Sequence, residues 1–203
     1  MTLRLMLVRH GQTASNVRMA LDAAPPGPPL TEEGRQQALD LADALAGEPV
    51  VGVYASRAVR AQETAEPVAS KYGLAVEVLD GIHEVGVGDL EGRNDHASIR
   101  RFLEVFGSWA AGDIDLPMPG GESARQVLKR YLPAVRGVRE RHADGTAVVI
   151  SHGAAIRVAA TALAGNVTTE LGARSTLPNT GRVVLQPDGD GWRCMEWTGV
   201  TLV

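Results

Sequence analysis

Two apolar runs far apart in the chain end in the same way. Leu5-Met6-Leu7-Val8 stops at Arg9-His10-Gly11, and Ala147-Val148-Val149-Ile150 stops at Ser151-His152-Gly153. Short apolar runs closed by glycine read as buried strands that end abruptly. Each run therefore sets a histidine just past the carboxyl end of a strand, where open α/β sheets build their sites. If the two strands are neighbours, both imidazoles converge on one crevice with Arg9 beside the first. The glycine after each histidine, Gly11 and Gly153, is expected to let the backbone come close to a ligand. Two histidines and an arginine so placed can bind and attack a phosphoryl group without a metal.

Bulk properties narrow the field. The chain has 203 residues, enough for one sizeable core, and 44% hydrophobic with 22% charged residues marks a folded globular protein. We read residues 1–203 as a single domain. The net charge of −4 argues against a general nucleic-acid binder, so an anion site must be a local arginine cluster. Cys194 is the only cysteine, which rules out an intrachain disulfide and argues against a cysteine metal site. The first apolar run is one strand long, too short for a signal-peptide core or a membrane span, and the expected location is the cytoplasm.

The pattern alternates strand and helix. Residues 3–9 read as a strand, and Ala24-Pro25-Pro26-Gly27-Pro28-Pro29 as a surface loop. Thr31 caps a helix with Ala38, Leu41, Ala42 and Leu45 on one face, ended by Gly47 and Pro49. A strand at 50–55, a helix at 59–72 with Gly73 at its C-cap, and a short strand at 75–79 follow. Residues 81–121 are punctuated by eight glycines and two prolines around a short helix at 98–110. Residues 93–120 read as a short cap over the sheet's edge. A helix at about 122–142 carries Val127, Tyr131, Val135 and Val138 along one face. A strand at 146–151, a helix at 154–164 and two antiparallel strands, 182–186 and 192–198, close the chain. Pro67 and Pro133 lie inside helices and are expected to kink them. The expected fold is a three-layer α/β/α sandwich around a mostly parallel sheet with an antiparallel edge strand.

Four segments carry chemistry. In Arg9-His10-Gly11-Gln12-Thr13, a guanidinium and the backbone N–H groups of Gly11, Gln12 and Thr13 can be offered to an oxyanion. In Ser56 to Ala65, Arg57 and Arg60 share a helical face. Arg57 reads as a solvated charge, and spacing alone leaves Arg60 open. In the glycine-rich stretch Ile82 to Gly92, His83-Glu84 opens like a zinc-protease motif, but Val87 stands where the second histidine should be. Gly86-x-Gly88 misses the dinucleotide fingerprint. Glu84 is a candidate general acid if an apolar, glycine-lined pocket raises its pKa, although the residues alone favour an acidic surface loop. His152-Gly153 supplies the second imidazole. His96 and His142 read as surface residues.

Taken together, these pieces resemble the histidine phosphatase superfamily, the phosphoglycerate mutase-like group. The resemblance runs through Leu7 to Thr13 with Asn16, Leu30 to Ala38, Ser56 to Ala65, Glu84 with Gly88 and Glu91-Gly92, Gly120-Gly121-Glu122-Ser123, Val149 to Gly153, and Leu177 to Thr180. It selects Arg60 over Arg57. It implies that His10 is the nucleophile that becomes phosphohistidine. Arg9, Arg60 and His152 would form the phosphate pocket, Asn16 a further contact, and Glu84 the proton donor. No metal and no cofactor are implied. The partner would be a small phosphorylated substrate rather than nucleic acid or membrane, and the family leaves room for a homodimer.

The family holds hydrolases and mutases. A mutase must shield its phosphohistidine from water and hold a second acidic group. The short excursion here, with Arg93, Arg100 and Arg101 beside Phe102, Phe106 and Trp109, points instead to a phosphatase for small phosphomonoesters. Mutase-type phosphoryl transfer and a non-catalytic phosphate-binding or scaffolding role are the alternatives. The retained set of Arg9, His10, Arg60, Glu84 and His152 argues against the last.

Overall fold

A computed structural model describes residues 2–200 and 202. β1 (Arg4–Arg9) and β4 (Thr146–Ser151) form the centre of a sheet. Beyond β4 lie β2 (Val50–Ala55) and β3 (Val76–Val78); beyond β1 lie β5 (Arg182–Asp188) and β6 (Gly191–Trp197). The order is β3-β2-β4-β1-β5-β6. The first four are mutually parallel, β5 runs against β1, and β6 runs against β5. The mostly parallel sheet with an antiparallel edge is therefore present, its reversed strand being β5.

Strand alternation divides the core between the two faces. Leu5, Leu7, Ala147, Val149, Val183 and Leu185 point to one side. They meet Tyr131, Val135 and Val138 of α5 (Ala124–Arg141) and Ala155, Ile156 and Ala159 of α6 (Gly153–Leu163). Met6, Val8, Val148, Ile150 and Val184 point to the other. There they pack on Leu41 and Ala42 of α2 (Glu32–Ala44) and on Ala61, Ala65 and Val68 of α3 (Val59–Tyr72). Both faces of β1 and β4 are covered, which is why their sequences are continuous apolar runs rather than alternating ones.

The helical caps match the residues that mark them. Thr31, Asp95 and Ser123 each accept an N–H bond from the first turn of α2, α4 (His96–Ala110) and α5, and Gly73 closes α3 in the left-handed region. Helix α3 includes Pro67 and helix α5 includes Pro133. Two further pieces escape the periodicity reading: the one-turn α1 (Ala14–Val17), capped by Thr13, and α7 (Thr169–Arg174). The region 93–120 holds α4. Its Val105, Phe106 and Trp109 pack with Val85, Met118, Ala124 and Val127, so the aromatic face of the cap is mostly core. Among the described residues no helix is long and apolar enough to cross a membrane.

Leu7 is fully buried at the middle of β1. Leu7→Ala should cost about 2–5 kcal/mol of unfolding free energy. Urea denaturation measures this; a loss below about 1 kcal/mol would mean the centre of the sheet is not close-packed.

Candidate active site

Strand register decides where the two histidines fall. β1 and β4 pair in parallel with Arg9 opposite Ser151, so the next residues, His10 and His152, leave the sheet side by side. The His10 N–H donates to the Ser151 carbonyl at 3.0 Å, and the two ring centroids lie 5.1 Å apart. Ser56, just beyond β2, joins them from the other side of β4, its N–H donating to the Ile150 carbonyl. From there α3 begins and carries Arg60 into the same hollow. The parallel sheet alone thus gathers three chain segments at one edge.

Hydrogen-bond partners assign the tautomers. Arg60 Nε donates to His10 Nε2 at 3.2 Å, and a guanidinium can only donate. His10 Nε2 is therefore the unprotonated nitrogen, and Nδ1–H donates to the Gly11 carbonyl at 2.7 Å. In His152, Arg60 Nη2 lies 3.4 Å from Nδ1, which leaves Nε2–H to donate to Ser56 Oγ at 2.7 Å. Both rings are buried. Burial first, then the charges of Arg60 and Arg9, hold His10 well below its ordinary pKa. Burial, then His10 and Arg60, do the same for His152. Desolvation thus comes before guanidinium repulsion in keeping both rings neutral.

The cations are fixed but not saturated. Arg9 Nη1 donates to the Leu177 carbonyl at 2.7 Å, and Arg60 Nη2 to the Asp22 carbonyl at 3.1 Å. Asp22 also pairs with Arg60 at 3.7 Å. Yet Arg9 Nε and Arg60 Nη1 are buried with no hydrogen-bond partner. Two arginines, each with a buried donor that no protein group accepts, beside an unprotonated imidazole nitrogen form a site suited to an oxyanion. The proline-rich loop at 24–29 covers Arg60. Its Gly27 has φ +66°, and a Cβ there would sit 2.1 Å from Arg60 Nη1.

Arg9, His10, Thr13, Asn16, Arg60, Glu84 and Gly153 line one cavity of about 210 Å³; His152 is fully buried and does not line it. A Cβ on Gly153 would come within 3.3 Å of Arg9 Nε, so this glycine leaves room for the guanidinium. Gly11 and Gln12 do not belong to the cavity. The Gly11 N–H donates to Thr64 Oγ1 and the Gln12 N–H to Gln37 Oε1. A Cβ on Gly11 would lie 2.6 Å from the Gly34 carbonyl oxygen, so Gly11 serves the packing of α2 against β1 rather than ligand approach. Asn16 closes a capping box with Thr13 and accepts from Asn179 Nδ2 at 3.2 Å; Asn179 also donates to the His10 carbonyl at 3.0 Å.

Glu84 departs from the pocket that the sequence suggests. Its carboxylate accepts the N–H groups of Ala154 and Ala155, at 3.2 and 2.8 Å, and that of Val85 at 2.8 Å. It caps the start of α6, directly behind His152. Its setting is a cluster of N–H donors, not apolar surface.

Other expectations resolve simply. Arg57 is exposed and pairs with Asp80, and His96 is exposed. His142 is half-buried, and its Nε2 meets the Tyr54 hydroxyl at 2.7 Å. Arg93, Arg100 and Arg101 pair with Asp95 and Glu104 in solvent and do not line the cavity. The further cation there is Arg157 of α6, which donates to the Gly172 and Ala173 carbonyls and lies 4.4 Å from the Phe106 ring centroid. Sequence reasoning passed over it because an arginine inside a helix gives no signal of its own.

Known proteins resemble the chain in sequence and in fold. The family model described as histidine phosphatase superfamily (branch 1) matches residues 5–199. The PE-PGRS family protein PE_PGRS11 of Mycobacterium tuberculosis (strain ATCC 25618 / H37Rv) is 35% identical over 95% of this chain, which spans only 36% of that protein's length. Phosphoserine phosphatase 1 of Hydrogenobacter thermophilus is 32% identical, over 80% of this chain and 76% of its own. A solved mycobacterial glucosyl-3-phosphoglycerate phosphatase in complex with VO3 has a TM-score of 0.82 at 27% identity, covering 97% of this chain and 99% of that one.

The buried imidazole pair links stability to pH. Unfolded, each ring takes up a proton near 6.5; folded, both stay neutral well below that. Below pH 6.5 the unfolded state therefore binds more protons, and stability falls as pH drops, by at most about 1.4 kcal/mol per pH unit per ring. Thermal midpoints between pH 7.5 and 5 should fall, and the fall should be shallower in the double variant His10→Asn/His152→Asn. An identical pH profile in that variant would show that the rings are not held neutral.

Proposed function

The chain belongs to the histidine phosphatase superfamily, and from that premise we propose that it is a metal-independent phosphatase of small phosphomonoesters. The observation that carries this reading is the juxtaposition of an unprotonated His10 Nε2 with unfilled guanidinium donors of Arg9 and Arg60. A phosphoryl group fits both halves: an electrophilic phosphorus for the nitrogen and anionic oxygens for the donors.

The reaction runs in two transfers. The Nε2 lone pair of His10 attacks phosphorus as the bond to the ester oxygen breaks. Glu84, whose carboxylate accepts three N–H bonds in the free site, relays to that oxygen the proton that a phosphomonoester monoanion brings in, so the leaving group departs as the alcohol. Arg9 and Arg60 hold the phosphoryl oxygens through the transition state, where their charge spreads, and His152 backs Arg60, with its Nδ1 facing Arg60 Nη2 and its Nε2–H given to Ser56. The Gly11 carbonyl accepts the hydrogen bond of Nδ1–H throughout and stabilises the cationic phosphohistidine. Water then attacks phosphorus, Glu84 takes its proton, and the phosphorus–nitrogen bond returns its electrons to Nε2. Arg60 Nε occupies Nε2 in the free site, so it must turn from the nitrogen to a phosphoryl oxygen as substrate enters.

Hydrolysis is favoured over re-donation because the arginines of the 93–120 cap face solvent and do not line the cavity. The relatives named as phosphoserine and glucosyl-3-phosphoglycerate phosphatases support the same direction. The cavity wall opposite the histidines mixes Leu21, Val85, Val87 and Phe102 with Arg157, which suits a compact alcohol bearing a polar group.

A phosphate-release assay across phosphomonoesters tests the proposal. Arg60→Ala should lower kcat/KM about 10²–10³-fold, and His10→Ala should lower it further. Chelators should leave the rate unchanged. Full activity in His10→Ala, metal-reversible inhibition by EDTA, or isomerisation of 3-phosphoglycerate outrunning phosphate release would each overturn it.

A further inference from the structure

Gly120-Gly121-Glu122-Ser123 is part of the sequence pattern, yet none of its residues lines the cavity. What it touches is the loop that carries Glu84. The Glu122 N–H donates to the Gly86 carbonyl, and Glu122 Oε2 accepts the Gly86 N–H at 2.7 Å. The Asp89 N–H donates to the Pro119 carbonyl. The backbones press together so closely that a Cβ on Gly121 would lie 2.2 Å from the Gly86 carbonyl oxygen. A Cβ on Gly88, which has φ +56°, would lie 2.2 Å from the Gly120 carbonyl carbon. Gly88 and Gly121 are thus explained by this contact, not by a ligand.

Glu122 also holds Arg130, which rises from α5 beneath the loop. All five guanidinium N–H bonds are used. Nε and Nη2 donate to the two Glu122 oxygens, each at 2.8 Å. Nη1 donates to the carbonyls of Gly81 and His83, and Nη2 also to that of Glu84 itself, at 2.9 Å. Ser151 Oγ donates to the remaining carbonyl, that of Ile82, at 2.7 Å. Every backbone carbonyl from 81 to 84 therefore has a side-chain donor, and three of the four belong to one arginine. Burial works against a charge on Glu122, but the Arg130 and Gly86 donors and the Arg130 charge hold its pKa below the ordinary value.

We propose that Glu122 and Arg130 form a positioning pair for the proton donor, fixing the 81–86 backbone so that the Glu84 carboxyl meets the ester oxygen of a phosphoryl group on His10. The inference rests on the reading of Glu84 as that donor. Arg130 does not touch substrate; it acts through the carbonyl of Glu84. A planar fork with five donors can hold three carbonyls and a carboxylate at once, which an ammonium group cannot. A displacement of about 1 Å at the carboxyl is enough to cost on the order of 100-fold in proton transfer.

Leaving-group dependence separates this role from a merely structural one. An alkoxide needs a proton to depart, whereas a dinitrophenolate does not. kcat/KM for propyl phosphate and for 2,4-dinitrophenyl phosphate should be measured in wild type, Glu84→Gln, Glu122→Gln and Arg130→Lys, with the inhibition constant of inorganic phosphate as a check on the His10 pocket. Glu84→Gln should lose about 100-fold or more on the alkyl ester relative to the aryl ester. Glu122→Gln and Arg130→Lys should show the same selective loss, about tenfold or more, with phosphate inhibition unchanged. Glu122→Gln is nearly isosteric and carries the test alone if Arg130→Lys does not fold. If Glu84→Gln discriminates between the esters but both pair variants lose them equally or not at all, the positioning role is wrong and the proton-donor reading stands. If Glu84→Gln itself fails to discriminate, that reading falls and the positioning role with it.

Discussion

The parallel pairing of β1 with β4 is the constraint on which the rest depends. With Arg9 opposite Ser151, no loop has to be folded specially to bring His10 to His152. A slip of one residue would turn every side chain of one strand to the other face and part the rings. Both faces of these strands are buried, so such a slip would also expose the core. The packing that stabilises the sheet is therefore the same packing that holds the two imidazoles 5.1 Å apart.

Around that pairing the molecule excludes water from charge. His10 and His152 are buried and neutral, Arg60 is sealed by the 24–29 loop, and Glu84 is tied to the first turn of α6. Buried groups of this kind normally satisfy one another, and most here do. Among the buried polar atoms without a protein partner, Arg9 Nε and Arg60 Nη1 lie on the two guanidinium groups that border the cavity. Preorganised donors left unfilled in the free site are what an enzyme needs to stabilise charge that develops only during reaction.

Much of this was legible in the sequence, for a physical reason. A strand buried on both faces is an unbroken apolar run, and its end is marked by the first polar residue, so the positions of His10 and His152 could be read directly. The alternating faces of α2 and α5 were legible by the same logic. What could not be read was anything set by a distant neighbour. Gly11 serves Gly34 rather than a ligand, Arg157 reaches the cavity from mid-helix, and the environment of Glu84 is made by the N–H groups of Ala154 and Ala155. Helix α7 has six residues, too few for a periodic pattern. The Gly120–Ser123 motif was visible as a pattern, but its partner Arg130 was not, because only the folded chain sets α5 beneath the 81–86 loop.

The proposed catalysis requires covalent capture of phosphate by one imidazole. Rapid acid-free quenching of the protein with a ³²P-labelled phosphomonoester, followed by peptide mapping, tests it directly. The label should be stable to alkali, labile to acid and confined to the peptide containing His10. Label on another residue, or rapid turnover with no labelled protein at any time, would contradict it.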